Sequence, residues 1–165
     1  MNQDVFIRFS NDRYESGNAL IVVLLSLLSI YLPFIFNSTS VNISDIVFYG
    51  IVDGVFAWLF ATLAAWFLIT RAFNTILEIT NLLVFTGYTH GILGFFGLFI
   101  LINNYISIPQ NVLQILTLII FGWMYFVLTK ALSAAFLLEK RIASISSVTY
   151  LVILIFFSDP IRIFV

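Results

Sequence analysis

The chain has 165 residues, of which 62% are hydrophobic, 18% aromatic and only 9% charged, and its formal net charge is −1. Its mean hydropathy of +1.12 leaves too few polar residues to cover a water-soluble domain, so the composition predicts an integral membrane protein in contact with the lipid bilayer. The basic residues form no long run, which argues against nucleic acid as a partner.

Five apolar segments are long enough to cross a bilayer as helices, which takes about 20 residues each. We therefore predict an all-α membrane protein with five transmembrane helices in an antiparallel bundle, because short turns make successive helices neighbours. The predicted spans cover residues 19–36, 46–69, 76–102, 112–138 and 142–158. Together they form a single transmembrane domain, 19–158, which follows a polar stub at 1–18 and precedes a short tail at 159–165.

The positions of Lys and Arg predict the orientation of these spans. Arg8 and Arg13 precede the first span, Arg71 follows the second, and Lys140 and Arg141 follow the fourth. Because basic residues favour the cytoplasmic side, the amino terminus and both basic turns are predicted to be cytoplasmic, with the carboxyl terminus outside. The membrane would be the plasma membrane in a prokaryote, and an endomembrane or organelle membrane in a eukaryote.

Ionisable residues inside a bilayer are costly and therefore suggest function. Three of them fall within the predicted spans: Asp53, His90 and Lys130. His90 lies near the midpoint of the third span and Asp53 about 7 Å outward of the midpoint of the adjacent second span, so the two could form a hydrogen bond directly or through one water. This pair has two interpretations, a proton relay or ion-coordinating pair and a polar clasp that fixes helix register. Lys130 is expected to extend its side chain toward the headgroups.

Glycines mark one face of the third span, at positions Gly87, Gly91, Gly94 and Gly97. Small residues at this spacing allow the backbone of a neighbouring helix to approach closely. The second span offers a matching face of small residues at Ala57, Ala61, Ala64 and Ala65. Ordinary internal packing is one interpretation of the glycines, which these alanines could meet, and a dedicated dimerisation seam is the other.

The sequence contains almost none of the residues and motifs that form catalytic or metal-binding sites. With no cysteine and a single histidine, the chain cannot form thiolate or multi-imidazole metal sites, so neither a metal nor another cofactor is expected. Nucleotide loops, hydrolase elbows and paired catalytic carboxylates are also missing from the sequence. An enzyme is therefore not expected.

Two segments resemble the Yip family, five-span membrane proteins associated with Rab-type GTPases. "VFTGYTHGIL" at 84–93 is similar to the Gly-Tyr segment of the family's third span, and "GWMYFVLTKALSAAFLLEKRIASISSVTYLVILIFF" at 122–157 to its last two spans. The resemblance covers about 46–157 and implies five spans with a cytoplasmic amino terminus. The Asp-Leu-Tyr-Gly-Pro motif of the eukaryotic members has no counterpart in this sequence. The resemblance therefore leaves undecided whether a GTPase is a partner.

Three functional hypotheses follow from these observations. The first is a non-catalytic membrane protein that acts through helix–helix contacts, as a structural or accessory subunit beside other integral membrane subunits. The second is a Yip-like factor that organises membranes or takes part in trafficking. The third is a small transporter or proton-conducting protein that uses Asp53 and His90.

Overall fold

The computed structural model describes residues 15–37 and 43–157. Every regular element in this part of the chain is helical, and five helices are long and apolar enough to cross a membrane. The all-helical fold class is thus confirmed, as are five helices of spanning length and composition, while the antiparallel bundle and the orientation stay predictions. The tail, residues 38–42 and all of the stub except 15–18 lie outside the described residues.

Two of the five helices contain segments of other helical types. The helices are α1 (Glu15–Asn37), α2 (Ile46–Ala72), α3 (Ile79–Tyr105), α4 (Gln110–Ala135) and α5 (Lys140–Phe157). A short turn at Ile43–Asp45 precedes α2, which begins with π-helix at Ile46–Val52 and ends with π-helix at Leu68–Ala72. A 3-10 segment at Gly91–Gly94 divides α3.

Two of the predicted boundaries differ from the structure for identifiable reasons. The third span begins at Ile79 rather than at residue 76 because residues 74–78 are not helical: Asn74 has a left-handed φ of 50°, and the Trp66 indole N–H donates to the carbonyl of Leu77 at 2.8 Å. The fourth ends at Ala135 rather than 138 because Leu137 adopts a left-handed φ of 53°. Hydropathy continues past both points, so composition alone could not mark them.

The helices pack as a ring of four with a fifth helix outside it. In the ring α2 contacts α3 and α5, and α4 also contacts α3 and α5, whereas α1 lies mainly against α3 and the first part of α2. Large side chains that are almost fully buried hold this arrangement together, among them Leu27, Ile69, Leu82, Met124, Leu128, Leu132, Tyr150 and Leu154. The position of α1 determines what the glycine face of α3 meets.

Candidate functional site

The four glycines of α3 lie against α1. The close pairs are Gly87 with Ala19, Gly91 with Val22, Gly94 with Ser26, and Gly97 with Ser29. We call these eight residues the glycine seam. Their numbers rise together along both helices, so α1 and α3 run in the same direction.

Close approach, rather than backbone conformation, explains these glycines. None of the described glycines has a positive φ, so any residue type could adopt their backbone conformation. A Cβ atom at Gly97, however, would overlap the carbonyl carbon and oxygen of Ser29, and one at Gly87 would lie 2.8 Å from the Cβ of Ala19. At Gly94 the nearest atom, the Ser26 Cα, would be at an ordinary 3.5 Å. The seam is therefore tightest at Gly97.

Two hydrogen bonds cross the glycine seam. The Ser29 hydroxyl donates to the carbonyl of Gly94 at 2.9 Å, and the Ser26 Oγ lies 2.9 Å from His90 Nδ1. Because the Ser26 hydroxyl donates to the carbonyl of Val23 at 2.8 Å, Nδ1–H is the donor toward Ser26. His90 is only 1% exposed, so this bond satisfies a ring nitrogen inside the protein.

The structure does not bring Asp53 and His90 together. His90 faces α1, and Asp53 is exposed, with no hydrogen bond to another side chain in the described ranges. The neighbouring Gly54 packs against the side chain of Leu27, and successive helical residues point about 100° apart. Asp53 is consequently directed away from α1. The histidine clasp has a serine of the first helix as its partner instead of the predicted aspartate.

The alanines of α2 do not contact the glycine seam either. Ala57, Ala61 and Ala65 are buried and Ala64 is half-buried, but α2 packs most extensively on α5. The predicted glycine–alanine contact was therefore wrong, because α1 occupies the glycine face.

A second polar cluster, between α2 and α3, was missed in the sequence. The Trp58 indole N–H donates to the Thr86 Oγ1 at 3.2 Å, and the hydroxyls of Thr62 and Thr86 are 2.9 Å apart. All three side chains are buried. The spacing of Trp58 and Thr62, one helical turn apart, was the available signal.

Three buried hydroxyls on α4 and α5 have no hydrogen-bond partner among the described residues. They are the Oγ1 of Thr129, the Oγ of Ser146 and the OH of Tyr150. Ser146 and Tyr150 are one turn apart on α5 and face the ring interior. Such groups are uncommon in folded proteins.

The predicted basic residues are all at the surface. Arg71, Lys130, Lys140 and Arg141 are exposed, and Arg71 borders an open cleft of about 310 Å³ at the end of α2. Within 15–37 and 43–157, no three His, Cys, Asp or Glu side chains are grouped so as to hold a metal ion.

The glycine seam combines close backbone approach with one buried and one partly buried hydrogen bond. Comparison of the chain with family models, with curated proteins and with solved structures found no match. The resemblance to the Yip family therefore stays a prediction from the residues quoted above.

Proposed function

We propose that this protein is a non-catalytic integral membrane protein that acts through helix–helix contacts, as an accessory component of a larger membrane assembly. Its partner would be an apolar membrane-spanning helix of another integral protein. The observation that carries this proposal is the uncovered face of α4.

The fourth helix is much less covered than the others. In its most apolar window only 17% of the residues are buried inside the protein, against 33–50% in the other four helices. Four large apolar side chains on one face are more than half exposed: Ile115, Leu118, Ile119 and Phe126. Lipid can cover such a face, so exposure alone does not call for a protein partner.

Gly122 gives this face the shape expected of a helix-packing surface. A Cβ atom there would meet nothing within 4 Å, so the glycine permits no close contact with the other described residues. Leu118 and Phe126, which are 71% and 63% exposed, lie one turn before and after it. Large side chains on both sides of a glycine form a notch into which another helix can pack closely, whereas lipid chains require no such notch.

Cysteine cross-linking can test this face directly, because the chain contains no cysteine. We expect Leu118→Cys, labelled with a maleimide–benzophenone reagent and irradiated in native membranes, to form a discrete cross-linked product with another integral protein, because the maleimide bonds to the introduced thiol and the excited benzophenone inserts into a C–H bond of its neighbour. Val152→Cys on α5, also more than half exposed, is the matched control and should not. Adding Gly122→Leu to Leu118→Cys should abolish the product by filling the notch.

Three results would refute the proposal. Equal cross-linking from Leu118→Cys and Val152→Cys would mean that the α4 face has no special partner. A product with the mass of two copies of this chain would identify self-association instead of an accessory role. Migration as a monomer on native gels of mildly solubilised membranes would also contradict it.

The proton-conducting alternative has less support. It required Asp53 and His90 to share a site, but Asp53 is exposed and His90 is buried against Ser26. A proton relay would therefore need a path for the proton between the exposed Asp53 carboxylate and the buried His90 ring. The contact-based function needs no such route.

A further inference from the structure

We propose that the cleft at the end of α2 binds the phosphate of a phospholipid headgroup, with Arg71 as the main ligand. The inference is independent of the accessory function proposed above. It is based on the shape of the turn between α2 and α3, on the residues that line the cleft, and on the position of the cleft at the end of a membrane span.

The turn is shaped by an unusual helix end. The last five residues of α2, Leu68–Ala72, are π-helical, a conformation that is rare and occurs most often at functional sites. Asn74 then takes a left-handed φ of 50°, which turns the chain back toward the helix. The Trp66 indole N–H donates to the carbonyl of Leu77 at 2.8 Å and fixes the returning segment there. Helix and returning chain enclose the cleft between them.

The second turn on this side, between α4 and α5, shows what is special about the first. Leu137 also has a left-handed φ there, and the Ser133 hydroxyl donates to the carbonyl of Leu138 at 3.0 Å, as Trp66 does to Leu77. Here, however, Leu138 and Glu139 follow the left-handed residue directly, whereas the corresponding Leu77 and Glu78 of the first turn do not. In the first turn Thr75 and Ile76 are inserted, and both line the cleft.

The lining of the cleft suits an anion. Arg71 and Asn74 supply guanidinium and amide N–H donors, and no carboxylate is among the lining residues. The hydroxyls of Thr70 and Thr75, which also line the cleft, donate to the carbonyls of Trp66 and Phe73. Arg71 forms no salt bridge with any carboxylate in the described ranges. A guanidinium binds phosphate oxygens through paired, charge-assisted hydrogen bonds, and a volume of about 310 Å³ accommodates a small polar group.

The surroundings favour a lipid phosphate over a soluble one. The cleft lies at the end of a membrane span, on the face predicted to be cytoplasmic, where basic pockets bind lipid headgroups. Ile76, part of its lining, is 100% exposed, which suits contact with acyl chains better than contact with water. Trp66 adds an aromatic wall of the kind that occurs at membrane interfaces.

Native mass spectrometry with added phosphatidylglycerol tests this site in the full chain. We expect Arg71→Gln to weaken the apparent affinity for the lipid about tenfold, because charge-assisted hydrogen bonds to phosphate are lost. Asn74→Gly, which keeps the left-handed backbone available, should weaken it about threefold by removing one amide donor. Lys140→Gln, an exposed cation of the second turn, should leave the affinity within about twofold.

Each remaining outcome would overturn the proposal. Equal losses from Arg71→Gln and Lys140→Gln would indicate general attraction to the basic face. Displacement of the lipid by millimolar inorganic phosphate would identify a soluble-anion site. Unchanged binding in Arg71→Gln would show that the cleft is not the lipid site. The thermal unfolding temperature of each variant is the control for folding, and it should not change.

Discussion

Replacing Gly97 with alanine should strongly destabilise the fold, because the seam between α1 and α3 has no room for one more carbon. The added Cβ would overlap the carbonyl of Ser29. That carbonyl belongs to the backbone of α1, so it cannot rotate aside as a side chain does. The two helices must separate, and the hydrogen bond from Ser29 to Gly94 would lengthen or break.

The expected net loss is about 2.5–3.5 kcal/mol in the free energy of unfolding. Overpacking a close contact costs about 1–3 kcal/mol, and the upper end applies where only backbone can move. A weakened hydrogen bond adds about 0.5–1.5 kcal/mol. Alanine recovers about 1 kcal/mol through its better helix propensity.

Unfolding by sodium dodecyl sulfate in mild-detergent micelles, followed by tryptophan fluorescence, measures this loss. Gly122→Ala is the matched control, because its Cβ would meet nothing within 4 Å, and it should be neutral or stabilising by up to about 1 kcal/mol. Gly94→Ala, with its nearest contact at 3.5 Å, should lie between the two. If Gly97→Ala were no less stable than Gly122→Ala, the close approach of α1 and α3 would be refuted.

The same unfolding assay checks three further predictions. Ser26→Ala should lower the free energy of unfolding by about 1–2 kcal/mol, because it leaves His90 Nδ1 unpaired. Adding His90→Leu should recover most of that loss, since removing both polar partners is nearly neutral; no recovery would argue against a hydrogen bond between Ser26 and His90. Leu137→Gly should stabilise by about 0.5–1 kcal/mol, because its φ of 53° favours glycine and its side chain is 82% exposed; destabilisation would contradict that backbone conformation. Asp53→Asn should change stability by less than about 0.5 kcal/mol, whereas a larger loss would restore a structural role for this exposed carboxylate.

Hydropathy was sufficient to predict the helices but not their ends. Spans of about 20 apolar residues dominate the composition, and a bilayer accepts little else. The ends at residues 79 and 135 depend on local events, a carbonyl held by Trp66 and a left-handed Leu137. A left-handed leucine has no sequence signature, because L-residues with side chains rarely adopt that conformation.

The glycine face was predictable, and its partner was not. Short turns suggested that neighbours in sequence are neighbours in space, so α2 was expected opposite α3. In the structure α1, two helices earlier, takes that position. Its Ala19, Val22, Ser26 and Ser29 repeat at three- and four-residue steps, as the glycines do. Matching the two patterns as parallel helices, rather than antiparallel ones, would have found the pair.

The eight glycines of the chain fall into two groups, those that pack against another helix of the protein and those that do not. Those at 50, 54, 87, 91, 94 and 97 each meet another helix within 4 Å, whereas Gly17 and Gly122 meet nothing. Gly17 lies in the first turn of α1, where helix propensity matters little, but Gly122 lies in the middle of α4. There a glycine costs about 1 kcal/mol relative to alanine without an internal contact in return. A close contact with a helix from another protein would offset that cost, and this is why the face of α4 around Gly122, rather than the covered seam, is where we expect a partner.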